Sequence, residues 1–470
     1  MIDSRPRAAS RDRLLTVGFA ALGLLVGAGW LQLAESEETQ EVDAEAVRLL
    51  YEEGVRLQRA KQTDAAIVVY ERALAMDPKH APTLYEVGWS YWVLGRWSDV
   101  VRVWEKVLTL EPAHPEVPRY LPEARTKAEL LAKLDSAEAP ATTAPRPGAG
   151  TVRLTFGGDT MMGSALSNAG LPPDGGSALF DAYADRMKAA DLAFLNLEGV
   201  LLDSGRSHKC PENSEKGCYA FRMPVAFASN LVNAGVDVVS FANNHANDYG
   251  PEGRASTTST LDAAGIAVTG PLDRTVVLDA NGTRVGYLGF ATSPLGGDLR
   301  DLPLAQAMVR ELDASADVVV VSFHGGAEGK QAQHVSDGTE TFMGEDRGDV
   351  KAFARAVIEA GADLVVGHGP HVLRGMEIVD GRLVAYSLGN FVTYGGFNLS
   401  GANGLTVLLE VDLQPDGTLA GARVVPGRQI PPGGPRIDPD REAIAVLRAL
   451  STADFPDTAP TIADDGTITP

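Results

Sequence analysis

The chain is 470 residues long, 44% hydrophobic and 22% charged, a globular composition with room for more than one domain. Its net charge of −21 excludes a general nucleic-acid binder, since a phosphate backbone attracts basic surfaces. It does not exclude an anionic substrate, because a metal inside a cleft inverts the local field.

In chain order, a basic segment, 1–13, carries Arg5, Arg7, Arg11 and Arg13 and precedes an uncharged apolar stretch, Leu14–Ala34. That stretch is long enough to span a hydrocarbon core of roughly 30 Å. Arginines before it and Glu35, Glu37 and Glu38 after it predict a single-pass anchor in the cytoplasmic membrane, with the bulk of the chain extracytoplasmic. A cleaved signal peptide is the competing reading, although no clean A-x-A site follows. A short linker, 35–44, comes next.

Residues 45–112 contain an internal repeat: 45–78 aligns with 79–112, matching Gly54 with Gly88, Tyr70 with Trp104, Leu74 with Leu108 and Pro78 with Pro112. The period and the closing proline resemble tetratricopeptide repeats. The pattern predicts two amphipathic helices per unit, with a small residue where they cross. Pro118–Leu134 is expected to cap them, giving an all-α region over 45–134. Such a region is either a plain helical spacer or a docking surface for a protein partner, a polymer synthase being the candidate. An Ala/Pro-rich linker, 135–150, separates it from a second domain, 151–470.

That domain alternates short apolar runs with helical patterns. VRLTF, LAFLNL, VDVVSF, VGYLGF, DVVVVSF, DLVVG and LVAYSL read as buried strands. The intervening stretches VAFASNLVNAG and DVKAFARAVIEAGA read as helices stopped by glycine. Strand–helix alternation implies an α/β fold with mainly parallel strands. GLTVLLEVDL and TLAGARVVPG read as an antiparallel hairpin around PDGT. Cys210 and Cys218, the only cysteines, flank a short polar loop and favour a disulfide over a zinc pair, because no second ligand pair lies nearby.

Polar residues fall where these strands end: Asp159, the Asn196/Glu198 pair, Asn243–Asp248, His324, and His368 with His371. Ligands of open α/β sheets bind outside the carboxyl ends of the strands, so these groups are expected on one edge. Each also has a plainer reading: Asp159 as a strand terminator, Asp248 as the N-cap of a helix starting near Pro251, a lone histidine as a satisfied core residue. Yet four of the eight histidines, His245, His324, His368 and His371, share this placement. Carboxylates, an asparagine and imidazoles suit one or two divalent transition metals and metal-assisted hydrolysis; Mn, Fe, Zn and Co are not distinguished. No G-x-S-x-G elbow or phosphate-binding loop competes.

The motifs FGGDTMMG, LAFLNLEGVL, VVSFANNHANDYG, SFHGGAE, GADLVVGHGPHVLRGME and VAYSLGNFV, in this order, resemble the capsule-synthesis protein CapA family of the calcineurin-like metallophosphatase superfamily, from Val152 to about Gly427. The resemblance implies a four-layer α/β/β/α sandwich and a role in poly-γ-glutamate capsule or exopolymer production. The substrate it implies is an anionic polymer or phosphoester. By motif, Asp159, Glu198, Asn244, His324, His368 and His371 would be metal ligands, with Glu198 bridging. His245, with Asn244, would stand at the leaving group. Asn196, Asn243 and Asp248 would orient the ligands, and Glu328, Ser387 and Asn390 would line the cleft. The sequence departs from the wider superfamily's D-x-H motif at Met161, which stands in the place of the histidine, and from the CapA pattern at Gly369, in the place of a histidine, and in HGGAEG, in the place of H-W-G-x-E-Y.

Overall fold

The computed structural model describes residues 43–136, 149–165, 170–207, 209–210, 218–272, 274–293 and 296–470. The apolar stretch 14–34 and the basic segment before it lie outside these. Among the described residues no helix is long and apolar enough to cross a membrane. The expected single-pass membrane localisation is therefore corrected. The longest described helix, Val117–Ser136, carries Arg119, Glu123, Arg125, Lys127 and Glu129 along its length.

Five helices open the described chain: α1 (Ala44–Arg59), α2 (Thr63–Met76), α3 (Ala81–Val93), α4 (Trp97–Leu110) and α5 (Val117–Ser136). Their apolar faces meet in one core built on Tyr70, Trp92, Trp97 and Trp104. Gly88 is required at the α3–α4 crossing, where a Cβ would come within 2.0 Å of the Trp104 ring; Gly54 plays the same part under Tyr70. Both lie within one compact unit that runs from Glu45 to Pro470. In it α5 packs on the helix α9 of the following domain (Leu302–Asp313). There the Trp97 indole N–H donates to Asp301 Oδ2 at 3.1 Å.

The expected strands form two sheets. In the ten-stranded first sheet, β1 (Val152–Met161), β2 (Leu192–Leu197), β3 (Val238–Ser240) and β4 (Ala267–Thr269) lie side by side and parallel. In the seven-stranded second sheet, β5 (Val276–Ala280) is antiparallel to β6 (Thr283–Ala291), while β6, β7 (Val318–His324) and β8 (Leu364–His368) run parallel. β9 (Met376–Val379) and β10 (Arg382–Ala385) close its far edge. The chain then returns to the first sheet with β11 (Asn390–Thr393) beside the end of β1, and with the expected hairpin β12 (Leu405–Leu413) and β13 (Leu419–Gln429).

Period-two side-chain alternation sorts each strand between two cores. Val318 and Val320 of β7 face an inter-sheet core shared with Leu154, Phe156, Val366 and Val407. Val319 and Val321 face outward, against Val309 of α9 and against Phe353 and Val357 of α10 (Val350–Glu359). On the other side Leu195 and Val239 pack with Met187 of α6 (Ala184–Ala189) and Leu231 of α7 (Ala228–Ala234). Two sheets thus face each other with helices on both outer surfaces. Buried on both sides, the parallel strands read as continuous apolar runs rather than alternating ones.

Candidate metal centre

Strand register brings the polar strand ends together. Asp159 lies directly opposite Asn196 on one side and Asn390 on the other. His324 lies opposite His368 across β7 and β8. Gly158 makes room for this: its hydrogen occupies a position where a Cβ would sit 1.9 Å from the Gly389 carbonyl oxygen, and that carbonyl accepts the Asp159 N–H at 3.0 Å.

Ligand atoms of Asp159, Glu198 and His371 all lie within 4.8 Å of one another. His371 Nδ1 is 3.1 Å from Asp159 Oδ2 and its Nε2 is 3.5 Å from Glu198 Oε1. His324 stands 3.7 Å from Asp159 Oδ1 and 3.9 Å from Glu198 Oε1. His368 Nδ1 is 3.8 Å from Asp159 Oδ1, and His245 Nε2 is 3.9 Å from Glu198 Oε1. All are buried except His371, which is nearly so and adopts a positive φ of 57°. A histidine held in that sparsely populated region marks local strain of the kind found at binding sites.

Buried polar atoms without partners are rare, because desolvation is uncompensated. Here they gather: both oxygens of Glu198, both ring nitrogens of His368, His324 Nε2 and Asn244 Oδ1 have no hydrogen-bond partner. A divalent cation would satisfy such a carboxylate–imidazole–amide set, so the residues present fit the group that the sequence implies.

Neighbouring amides hold the cluster. Asn196 Nδ2 donates to Asp159 Oδ1 (2.7 Å) and lies 3.1 Å from His324 Nδ1. Asn243 Nδ2 donates to Asn196 Oδ1 (3.2 Å) and to the Leu197 carbonyl (2.8 Å), while its Oδ1 accepts the His245 N–H (3.1 Å). The helix-cap reading of Asp248 is corrected: α8 (Gly250–Ala263) follows Tyr249 with no side-chain cap. Asp248 Oδ2 instead pairs with His245 Nδ1 at 2.7 Å and accepts the Phe221 N–H at 2.7 Å. Burial of both residues pulls that carboxylate toward the imidazole rather than toward a helix end that water can solvate.

Of the residues expected to line the cleft, Asn390 Oδ1 sits 3.0 Å from His371 Nδ1 and its Nδ2 donates to the His371 carbonyl at 3.3 Å. The buried Ser387 hydroxyl donates to the Val372 carbonyl at 2.7 Å. Glu328 Oε2 is 4.0 Å from His371 Nε2. Gly369, where the family pattern has a side chain, contributes its N–H to Asp159 Oδ2 at 3.3 Å and has φ 108°, a conformation hostile to larger residues.

Burial dominates the electrostatics. It pushes the Glu198 carboxyl up to about 8, helped by the charges of Asp159 and Glu328. It lowers His245, takes His324 well below the usual imidazole value and brings His368 to about 4, so that these imidazoles are neutral, the form that ligates metals. Burial opposes the charge on His371 as well, but Glu198, Asp159 and Glu328 outweigh it and raise that ring to about 10. Asp159, which burial would raise, is held below the usual carboxylate range by the hydrogen bond and charge of His371.

Three neighbours of the cluster went unread in the sequence. Arg347, fully buried, pairs with Glu328 at 3.0 Å and leaves one Nη without a partner. Phe221 stacks on His245 at 4.2 Å, and Lys209 donates to the Asn244 carbonyl at 3.3 Å. Lys209 adjoins the disulfide Cys210–Cys218, which is formed, and that adjacency was its one legible signal. Nothing local in the sequence points Arg347 at Glu328.

The family model for the bacterial capsule synthesis protein PGA_cap matches residues 153–394. The chain is similar to the capsule biosynthesis protein CapA of Bacillus anthracis, 28% identical over 260 residues, covering 51% of this chain and 59% of that one. It is equally similar, 28% over 255 residues, to the PGA biosynthesis protein CapA of Bacillus subtilis (strain 168), covering 51% and 62%. A probable polyglutamine synthesis accessory protein of Mycobacterium tuberculosis is 25% identical over 233 residues, 43% of this chain and 56% of that one. The chain thus spans about three-fifths of the length of the curated relatives it matches. With the site-bearing strands inside a match that covers more than half its length, the chain belongs to the bacterial capsule synthesis protein PGA_cap family.

Proposed function

We propose that this protein is a metal-dependent hydrolase in the synthesis of an anionic, poly-γ-glutamate-type polymer, acting on a phosphoester or amide-linked acidic substrate within a metallophosphatase-like sandwich. The observation that carries the reading is the set of unpartnered buried atoms on Glu198, His324, His368 and Asn244 around the Asp159–Glu198–His371 cluster. Asp159, Glu198, Asn244, His324, His368 and His371 would hold one or two divalent ions. A bound ion supplies Lewis-acid polarisation of a phosphoryl or carbonyl oxygen. His245 then manages the proton: Asp248 holds its Nδ1–H, so Nε2 is the free position, and only after taking up a proton there can the ring pass it to the departing oxygen or nitrogen. Asn196, Asn243 and Asn390 hold the ligands in place. Glu328 and Ser387 would line the cleft.

The test is elemental analysis of protein purified without chelators, together with turnover of an aryl phosphoester and of glutamate oligomers. Near-stoichiometric metal, with turnover lost in His371→Ala, supports the reading; protein free of metal overturns it.

A second reading, a non-catalytic assembly factor, is favoured by one observation. The helical region, read as a tetratricopeptide-like docking unit for a polymer synthase, exposes Leu49 at 54%, Val68 at 57% and Val93 at 67%. Polymer production restored in cells by an Asp159→Ala/His368→Ala protein would favour it over hydrolysis.

A further inference from the structure

A cavity of about 450 Å³ lies between α5 and the carboxyl ends of β3, β4 and β6. Its wall includes Arg119 and Glu123 from α5, Asn243 and Asn247 from the loop after β3, Arg254 from α8, and Arg274. This is the same sheet edge that carries the metal cluster, and the loop Asn243–Asp248 fronts both: Asn243 lines the cavity and bonds to Asn196 beside Asp159.

Its charge is unusual for a chain with a net charge of −21. Arg274 is neutralised by a two-point pair with Asp262 at 2.8 and 2.7 Å, and Glu123 by Lys127 at 2.9 Å. Arg254 donates to the neutral Asn247 side chain, and Arg119 stacks on Tyr120 at 5.3 Å. Among the described residues neither has a carboxylate within ion-pair distance, so two guanidiniums, from two separate elements, share one cavity. Burial first, and then the charge of Arg119, hold Arg254 below the usual arginine value against the opposing charge of Glu123. A second cavity shows the contrast: there Arg153 pairs with Asp412 at 2.8 Å and Arg186 with Glu410 at 2.9 Å. Guanidinium forks recognise carboxylates and phosphates with paired N–H donors, and an anion between Arg119 and Arg254 relieves their repulsion.

We propose that this cavity is a subsite for a carboxylate-bearing segment of the acidic polymer, gripped by Arg119 and Arg254, so that the helical region supplies part of the substrate-binding surface. The proposal rests on the reading of the ligand as an acidic polymer, and not on hydrolysis.

The experiment is fluorescence anisotropy of a fluorescein-labelled glutamate decamer titrated with the full chain, with a glutamine decamer and inorganic phosphate as comparisons. The glutamate decamer binds, the glutamine decamer does not, and affinity falls as salt rises. Arg119→Gln and Arg254→Gln each weaken binding by about tenfold or more, Arg254→Lys weakens it less, and Arg186→Gln at the second cavity leaves it unchanged. Arg119 is exposed, so its variant folds whatever Arg254 does. Absence of decamer binding, wild-type binding by both Gln variants, or phosphate as the stronger ligand overturns the proposal. The Asp159→Asn/His368→Ala protein separates the two readings. If it loses metal but keeps the decamer, the subsite stands whatever becomes of catalysis. If it loses the decamer while the arginine variants keep it, the polymer sits on the metal cluster and the subsite falls.

Discussion

Among single residues, Glu198 is the one whose burial most demands a cation. A carboxylate with no exposed surface and no hydrogen-bond partner is stable only as a neutral acid or beside a cation, and both conditions are visible: a carboxyl raised to about 8, and three imidazoles within 3.9 Å. Glu198→Gln is expected to abolish metal retention through desalting, read by elemental analysis, while the fold persists by circular dichroism. Asp248 belongs to a different class, since it touches His245 and not the cluster. Asp248→Asn is expected to keep the metal and lower turnover roughly 10- to 100-fold, the range seen when the group orienting a histidine is removed. The sequence announced His245 and Asp248 as neighbours but left the carboxylate free to cap a helix. Only burial of both decided for the imidazole.

At the scale of elements, the loop after β7 that carries Glu328 is pinned by a buried pair. Arg374 meets Glu340 at 2.9 and 2.7 Å and donates to the Ala327 and Ala332 carbonyls at 3.1 and 2.7 Å. Arg374→Met leaves Glu340 buried and uncompensated, so urea denaturation should show a loss of about 3–5 kcal/mol. At the entrance to β8, Asp363 accepts the Val319 N–H at 2.8 Å and pairs with Arg382 at 3.1 Å, yet burial outweighs both and raises its carboxyl to about 7. Its folded pKa is above the unfolded value of roughly 3.9, so the folded state binds more protons. The contribution is present in full below about pH 4 and is lost as pH rises to about 7. Asp363→Asn, which cannot ionise, should therefore gain in melting temperature relative to wild type as pH climbs through that window, with no such trend for Asp465→Asn at an exposed turn.

For the whole molecule, the helical region and the α/β domain are joined through α5 and α9, with Trp97 clasped between Lys127, 4.2 Å from its ring, and Asp301. Trp97→Ala removes a buried aromatic and a seam hydrogen bond, and a loss of about 3–5 kcal/mol is expected, with faster hydrogen exchange in both α5 and α9. Unchanged exchange in α9 would mean the two parts are independent. The strand runs were legible because parallel strands buried on both faces must be continuously apolar, and their ends because polar groups cannot continue into such a core. That 45–134 is helical was legible from its amphipathic pattern. Nothing in the sequence said that β1 and β2 join one sheet while β7 and β8 join the other, since an apolar run carries no label for its neighbour.

What the sequence determined by itself was local: buried strands, amphipathic helices, the disulfide pairing of Cys210 with Cys218, and a polar residue at each strand's carboxyl end. Those follow from periodicity and from the cost of burying unpaired polar groups, which act over a few residues. The tertiary structure alone decided which ends converge. Register set Asp159 opposite Asn196 and His324 opposite His368, and the facing of two sheets closed Glu198, His371 and Arg347 into one buried cluster. It also brought α5 to the sheet edge, so that Arg119 and Arg254 line one cavity. Contacts of that kind depend on long-range packing, whose energy is spread over the whole inter-sheet core and is written in no single stretch of chain.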